Sequence, residues 1–266
     1  MQIRKKMMHH DNEDLEPAKI LWTGGWDSTF QLLRLLFLEN RPVEPYYLIN
    51  EDRPSTGTEL LTMKRIRQGI SKMNESGAGL IQPTKYFSVS QIPSHSEITR
   101  AYQAIKNTRF IGSQYDWLAR FCEYQEITRL QLCIHEDDKA AVVVAPMIAK
   151  NHGTKDRTTL GDQCFGTDEH LVFRYFEFPI FDLTKTDMAK IAKERGWSEI
   201  MKMTWFCHRP INGEPCGRCP PCRYTIEEGF GWRIPTHRRL TGNIHRLSQL
   251  SKKLAKRILI ELRKNG

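Results

Sequence analysis

The sequence predicts an α/β protein built on an open, doubly wound, mostly parallel sheet of five strands. Apolar strand-like segments alternate with amphipathic segments of helical period, as in parallel sheets whose crossovers are helices. A turn with two glycines follows the first strand-like segment, and the apolar, β-branched run at 139–147 fits a central strand covered on both faces. In such sheets, ligands bind at the carboxyl ends of the strands.

The predicted elements follow one another from residue 19 onward. The expected strands are KILW, EPYYLIN, TKYFSVS, KAAVVVAPM and VFRYFEFPIF, at 19–22, 44–50, 84–90, 139–147 and 172–181. The expected helices occupy 28–40, 59–74, 114–136 and 184–196. The polar segment 151–170 is expected to form a long loop beside the ligand crevice.

Composition indicates a folded chain with one sizeable core. The 266 residues are 39% hydrophobic, which is enough apolar material for such a core. The longest near-continuous apolar run, at 140–149, is too short to span a bilayer, and the first 16 residues lack the apolar stretch of a signal peptide. We therefore expect a cytoplasmic protein with no membrane partner.

The chain is basic, with 40 lysines and arginines against 31 acids and a formal charge of +9. Much of the excess lies in the segment 233–266, where Glu261 is the only acid. One interpretation is a polyanionic partner such as nucleic acid. The other, which the sequence favours, is a solvated helix face opposite an apolar stripe that docks on the body, formed by Leu247, Leu250, Leu254, Ile258 and Leu262.

The stretch TGGWDST, at 23–29, predicts an anion site. Gly24 and Gly25 allow a close backbone approach, and free N–H groups at a strand-to-helix turn bind phosphate oxygens. Hydroxyl groups that would add to this site belong to Thr23, Ser28 and Thr29. Asp27 suits either a magnesium ion that bridges to phosphate or a cap for the following helix. A plain glycine turn before a capped helix is the alternative for the whole stretch.

Four of the seven cysteines are clustered in the spacing C-x(8)-C-x(2)-C-x(2)-C, at Cys207, Cys216, Cys219 and Cys222. This pattern predicts a structural zinc site with four thiolate ligands. An iron–sulfur cluster is the rival, but position 226, where a ferredoxin-type run needs another cysteine, holds isoleucine. His208 could compete as a ligand. The remaining cysteines are expected to be ordinary buried or partly buried thiols: Cys122, Cys133 and Cys164.

The glycine stretch resembles S-G-G-x-D-S, the PP-loop of ATP pyrophosphatases in the adenine nucleotide alpha hydrolase group, with Thr23 in place of the first serine. A second segment, FPIFDLTKTDMAKIA, resembles the P-x(5)-K-x-[DE] motif of these enzymes through Pro179, Lys185 and Asp187. The resemblance implies cleavage of ATP to AMP and pyrophosphate with Mg²⁺. Lys185 would neutralise phosphate charge, and a solvent-facing lysine is the alternative for that position.

Together with the cysteine cluster, these motifs resemble the 7-cyano-7-deazaguanine synthase (QueC) family over about residues 20–229. Family members adenylate 7-carboxy-7-deazaguanine, let ammonia displace AMP, and dehydrate the amide to a nitrile with a second ATP. The resemblance implies that Asp27, Ser28 and Lys185 are catalytic and that the four cysteines hold zinc. It assigns ATP binding to Trp22, Thr23, Gly24, Gly25, Trp26, Asp27, Ser28, Thr29, Phe30, Gln31 and Leu32.

We expect the chain to divide into a flexible N-terminus at 1–17, an ATP-binding domain at 18–200, and a zinc-binding loop with a basic helix at 201–266. The sequence departs from the family pattern in three segments: LINEDRPSTGTEL, RFIGSQYD and 151–166. Of the family motif expected at the second segment, only Gly112 is kept. Two further hypotheses are therefore open: transfer of the acyl group to a protein amine or nucleic-acid base, and a zinc knuckle that binds nucleic acid. The sequence leaves open whether the chain forms a homodimer.

Overall fold

The computed structural model describes residues 16–148, 159–248 and 251. Within them, five parallel strands form one open sheet in the order β3-β2-β1-β4-β5. The strands are β1 Ala18–Leu21, β2 Val43–Ile49, β3 Lys85–Ser88, β4 Leu130–Gln131 and β5 Phe176–Glu177. The predicted α/β class with an open parallel sheet is confirmed.

Helices connect the strands and follow the sheet. They are α1 Trp26–Phe37, α2 Thr56–Met73, α3 Glu75–Gly79, α4 Ser96–Thr108, α5 Gln114–Tyr124, α6 Ala141–Val144, α7 Asp168–Phe173, α8 Lys185–Glu194, α9 Ser198–Met203 and α10 Pro220–Glu227. Residues 236–248 are also helical. No described helix combines the length and the apolar character that a membrane span requires.

The helices cover both faces of the sheet, as a doubly wound fold requires. One core cluster joins the sheet to α4, α5 and α7 and includes Phe121 and Phe173. The other joins it to α1, α2, α8 and α9 and includes Phe30 and Ile66. Ile20 of β1 is fully buried between its neighbours β2 and β4.

The sheet has a switch point beside β1. The chain builds β1, β2 and β3 outward in one direction, and then β4 returns to the other side of β1, where Ile20 pairs with Gln131. The loops after β1 and β4 therefore leave in opposite directions and open a crevice between them. Open α/β sheets bind their ligands at such a point.

The predicted strand at 139–147 is wrong, because this segment is helical at α6 and at the 3₁₀ turn Ala145–Met147. The predicted helix at 114–136 is wrong beyond Tyr124, because β4 lies within it. Glu126 and Arg129 have φ of 53° and 59°, which end the helix before the strand. Once β4 pairs with both β1 and β5, the sheet has no place for a strand from 139–147.

Other departures are smaller. Helix α1 begins two residues before Ser28. The segment 151–170 is not wholly a loop, since it contains the 3₁₀ turn Asp162–Cys164 and the start of α7. Leu247, expected in a docked stripe, is 64% exposed. Outside the described residues lie 1–15, 149–158 and the stripe positions Leu250, Leu254, Ile258 and Leu262.

Candidate functional site

The glycine turn lies at the carboxyl end of β1, as the sequence predicts. Trp22 still follows the sheet, since its N–H donates to the Tyr46 carbonyl at 2.9 Å. Gly24 then takes φ of +69°, a left-handed conformation that side chains disfavour. A Cβ at Gly24 would also lie 3.2 Å from side-chain atoms of both Thr62 and Met63 on α2. Both the backbone angle and the packing therefore select glycine here.

Gly25 continues the turn into α1. It adopts an extended conformation as the N-cap, and its carbonyl accepts the N–H of Thr29 at 3.0 Å. No side chain caps the helix, so its first N–H groups remain available to a ligand. Asp27 therefore does not act through the side-chain cap that one alternative proposed for it.

The residues assigned to ATP binding by resemblance fall into two sets. Thr23, Gly25, Trp26 and Asp27 line a large cavity. The others are largely buried, and their polar groups make hydrogen bonds inside the protein. The Trp22 indole donates to the Thr29 hydroxyl at 3.1 Å, and Gln31 donates to Gln131 at 3.0 Å. The buried residues outside this lining are Trp22, Gly24, Ser28, Thr29, Phe30, Gln31 and Leu32.

The cavity has a volume of about 910 Å³. The turn after β1 forms one wall, the loop after β4 a second, and the start of α8 a third. Segments around the cysteine cluster close the remaining side with Trp205, Phe206, Tyr224 and Phe230. The cavity thus lies at the switch point of the sheet, and its aromatic side is built by residues distant in sequence.

Asp27 and His135 face each other across the crevice. The Asp27 Oδ1 atom lies 3.9 Å from His135 Nε2, and His135 is only 2% exposed. Asp27 Oδ1 and His135 Nδ1 are both buried without a hydrogen-bond partner among the described residues. An unpaired buried carboxylate oxygen at a phosphate-type turn fits a Mg²⁺ ligand. His135 was not found from the sequence, since only the pairing of β4 with β1 brings it here.

Lys185 lies on the same cavity, at the first position of α8. Thr184 and Asp187 cap this helix reciprocally, so Asp187 has a local structural role. Lys185 is mostly buried and donates to Glu228 at 2.7 Å, so the alternative of a solvent-facing lysine is wrong. Burial opposes its charge, but the carboxylates of Asp27 and Glu228 raise the pKa of Lys185 above its usual value.

Sequence reasoning also missed other charged residues on the cavity, among them Asp138 and Arg233. Burial raises the pKa of Asp138, with the charge of Asp27 adding to it and His135 opposing it. Arg233 lies 5.1 Å from the Trp26 ring and 4.8 Å from the Phe206 ring. Burial lowers the pKa of Arg233 to about 10, so it remains a cation at neutral pH.

The four clustered cysteines form a separate, compact site. Their sulfurs lie within 4.8 Å of one another, and all four side chains are buried. The separations from Cys219 are 3.8 Å to Cys207 and 3.4 Å to Cys222. Tetrahedral zinc with bonds of about 2.3 Å needs sulfurs about 3.8 Å apart. The cluster therefore fits zinc, and no place remains for His208.

The other three cysteines do not join this cluster. Cys122 and Cys164 are buried, and Cys133 is partly buried. Burial raises the pKa of Cys122 and of Cys133, which keeps both thiols protonated. The expectation of ordinary buried or partly buried thiols is confirmed.

The cysteine cluster is tied to the glycine turn and to the C-terminal helix. The N–H of Trp205 donates to the Gly24 carbonyl at 2.9 Å, and the Trp205 indole donates to the Cys207 carbonyl at 2.7 Å. On its other side, a Cβ at Gly242 would lie 2.1 Å from the Gly217 carbonyl oxygen. The helix at 236–248 therefore packs directly on the cysteine loop through a glycine contact.

The fold and this site define an α/β protein with a ligand crevice at the switch point of a parallel sheet and an attached cysteine site suited to zinc. Residues 166–231 match the family model QueC, described as queuosine biosynthesis protein QueC. The match confirms the resemblance to QueC over a segment that contains Lys185 and all four cysteines, so the chain is QueC-like there. The glycine turn lies outside the matched segment. The search of curated proteins finds no match to the chain.

Proposed function

We propose that this chain is an ATP-dependent, AMP-forming ligase of the QueC type. One observation carries the proposal: the glycine turn, through Thr23 and residues 25–27, opens into a cavity whose far walls present Lys185 and Arg233. Free N–H groups at a helix start and two fixed cations suit a triphosphate. The match to QueC over residues 166–231 supports ATP use and a queuosine-pathway type of reaction.

The charge balance of the cavity favours ATP bound together with Mg²⁺. Five carboxylates line it, against the three cations Lys139, Lys185 and Arg233. An anion alone would meet net repulsion there, whereas a metal ion would offset it. Asp27 is the residue that would hold Mg²⁺, because its buried oxygen has no other partner among the described residues. The ion would supply charge neutralisation at the phosphates.

In the proposed reaction, a carboxylate oxygen of 7-carboxy-7-deazaguanine or a similar acid attacks the α-phosphorus of ATP. The bond to pyrophosphate breaks, and an acyl adenylate forms. Ammonia then attacks the acyl carbon, AMP leaves with the electron pair of the acyl–oxygen bond, and the proton lost by the nitrogen passes to solvent. Lys185 and the turn N–H groups stabilise the negative charge on phosphate, and the aromatic residues around the cavity exclude water from the adenylate.

One residue at the edge of this cavity supports a different acceptor for the acyl group. Phe110 lines the cavity yet is 73% exposed, at the segment where the chain departs from the family pattern. An exposed aromatic residue beside an active site suits contact with a macromolecule. The adenylate would then pass to a protein amine or a nucleic-acid base instead of to ammonia.

The test is a reaction of the full chain with ATP, Mg²⁺ and 7-carboxy-7-deazaguanine, with and without ammonium, followed by mass spectrometry. We expect AMP and a deazaguanine amide or nitrile. AMP formation that needs a protein or nucleic acid, with the acyl group found on it, would favour the second acceptor. If no acid supports AMP formation, the ligase proposal fails. RNA binding that weakens steeply with salt in the same preparation would then favour the nucleic-acid-binding knuckle.

A further inference from the structure

The helix at 236–248 exposes an apolar stripe to solvent. Leu240, Ile244 and Leu247 are 59%, 67% and 64% exposed. They follow one another at intervals of four and three residues, so they lie along one side of the helix. A surface helix of a globular protein normally packs such a stripe on its own core. Within the described part of the chain, this stripe instead remains largely uncovered.

The rest of the protein contacts the opposite side of this helix. Gly242 is buried and packs on the cysteine loop. A helix turns about 100° per residue, so Leu240 and Ile244, each two residues from Gly242, lie on the far side of the helix axis from it. Arg238, four residues before Gly242, lies on the packed side, where its guanidinium donates to Glu214 at 3.1 Å. The packing of the helix on the cysteine loop therefore directs the stripe outward.

The intervals within the stripe are those of a coiled-coil seam. Such seams repeat apolar residues at alternating intervals of three and four residues. The sequence continues these intervals at Ser251, Leu254 and Ile258, so serine is the only polar residue at the seam positions from 240 to 258. A stable interface takes about 20 residues or more from each partner, which is more than the described stripe supplies. The continuation of the pattern adds the apolar positions that a stable seam needs.

The distribution of charge around the stripe favours a second copy of this chain as the partner. The helix positions that flank the seam are uncharged: Thr241, Asn243 and Ser248. An anionic membrane or a nucleic acid binds through cations beside the contact surface, and an acidic partner helix would place its carboxylates against these uncharged flanks. A second copy instead offers the same apolar stripe with the same uncharged flanks, so pairing brings no like charges together at the seam.

We propose that two copies of this chain associate through the outward stripe of Leu240, Ile244 and Leu247, and that the contact continues along the sequence at Leu254 and Ile258. Each copy contributes the same surface to the interface. The helix at 236–248 follows residues 166–231, the segment that matches QueC, so this surface is not part of that match. The stripe does not line the large cavity, so the inference is independent of the proposed function.

The experiment is sedimentation equilibrium of the full chain over a wide range of protein concentration, at low and at high salt. Ile244→Glu places a charge in the middle of the stripe, and the variant should fold because Ile244 is 67% exposed. His245→Glu is the matched control, because His245 is the next residue, is exposed and lies off the stripe. Circular dichroism checks that both variants keep the helical content of the wild type.

We expect the wild type to form a dimer that persists at high salt, because salt screens charges and does not weaken apolar contacts. Ile244→Glu should raise the dissociation constant of the dimer about 100-fold or more, since both copies lose a buried side chain and gain a charge in the seam. His245→Glu should leave it within about threefold. A wild type that is monomeric at every concentration overturns the proposal. So does a dimer that both variants weaken equally, or one that Ile244→Glu leaves intact.

Other partners for the stripe give different results with the same variants. Vesicles of phosphatidylcholine and phosphatidylserine, and a duplex RNA, are each added to the wild type and to Ile244→Glu. If a monomeric wild type floats with the vesicles and Ile244→Glu does not, the stripe binds a membrane and the pairing of copies is overturned. RNA binding by a monomer that depends on Ile244 and weakens with salt overturns it in the same way. AMP formation is measured separately, so failure of this inference is distinguishable from failure of the ligase.

Discussion

Lys185 and Glu228 form an ion pair with 2.7 Å between Nζ and Oε2, and this pair joins the start of α8 to the segment that follows α10. Both side chains are mostly buried on the wall of the large cavity. The pair therefore fixes a cation near the glycine turn and also ties the cysteine-bearing segment to the sheet. The two roles can be separated by substitution.

Lys185→Met should reduce stability and activity together, because it leaves the Glu228 carboxylate buried without its partner. We expect a loss of about 1–3 kcal/mol in the free energy of unfolding. The double variant Lys185→Met with Glu228→Gln removes the unpaired charge, so it should recover most of the stability while AMP formation stays low. Urea denaturation and an AMP assay give the two readouts. If the double variant recovers both stability and AMP formation, the ion pair has a structural role only.

Asp27→Ala should lower AMP formation by about 100- to 1000-fold, the loss typical of removing a group that stabilises transition-state charge. The zinc content should be unchanged, because Asp27 lies outside the cysteine cluster. Asp52→Ala is the control, since Asp52 is an exposed aspartate that does not line the cavity. Full turnover in Asp27→Ala would contradict the assignment of Asp27 to the nucleotide.

Gly24→Ala should destabilise the fold by about 1–2 kcal/mol, the cost of a left-handed backbone for a residue with a side chain. The contacts with Thr62 and Met63 would add to this cost. Gly57→Ala is the matched control, because nothing lies within 4 Å of a Cβ there and the residue is in α2. That variant should be neutral or more stable. Urea denaturation of both compares them, and equal stabilities would refute the strained turn.

Cys219→Ser should abolish the binding of zinc at one ion per chain, because four thiolates complete a tetrahedral shell. Cys164→Ser should keep the metal, since Cys164 lies outside the cluster and its thiol donates to the Met147 carbonyl, which serine can also do. Elemental analysis of the purified chain measures the zinc content. Iron with a visible charge-transfer band in the wild type would instead support the iron–sulfur alternative.

Asp138→Asn should stabilise the nucleotide-free chain at neutral pH. The pKa of Asp138 is raised in the fold by burial, so the protonated form is favoured there. Its contribution to stability is present below the unfolded pKa of about 3.9 and is lost as the pH rises through the folded value. The amide oxygen can still accept the N–H of Ala140. The stability difference between variant and wild type should therefore shrink toward pH 4, as urea denaturation across pH would show.

Local chemistry in the sequence was sufficient to place the glycine turn and the cysteine cluster. Gly24, Gly25 and the x(2) spacings of the cysteines carry strong short-range signals, and the structure puts each where expected. The regular helical periods of α1, α2 and α8 gave their positions within a few residues. Four of the five strands, β1, β2, β3 and β5, overlap the predicted segments.

The failures involve residues whose position depends on long-range pairing. Strand β4 has two residues, so it has no periodicity to detect, and the longer apolar run after it was taken as the strand. In that run, Val143 and Val144 are buried while Val142 is 71% exposed, which is a one-sided helix and not a strand buried on both faces. His135 follows β4, so sequence reasoning that missed this strand also missed the position of His135 on the cavity. Arg233 becomes part of the site only through its contacts with Trp26 and Phe206.

The hydrogen bond from the Trp205 N–H to the Gly24 carbonyl joins the segment that leads into the cysteine cluster to the glycine turn. Trp205 lies two residues before Cys207 and its indole donates to the Cys207 carbonyl, so a metal ion on the cysteines would restrain the backbone that contacts the glycine turn. If a bound metal ion raises the affinity of the chain for nucleotide, bound nucleotide must raise the affinity for the metal by the same factor. A chain with bound nucleotide would then retain its metal better against a chelator.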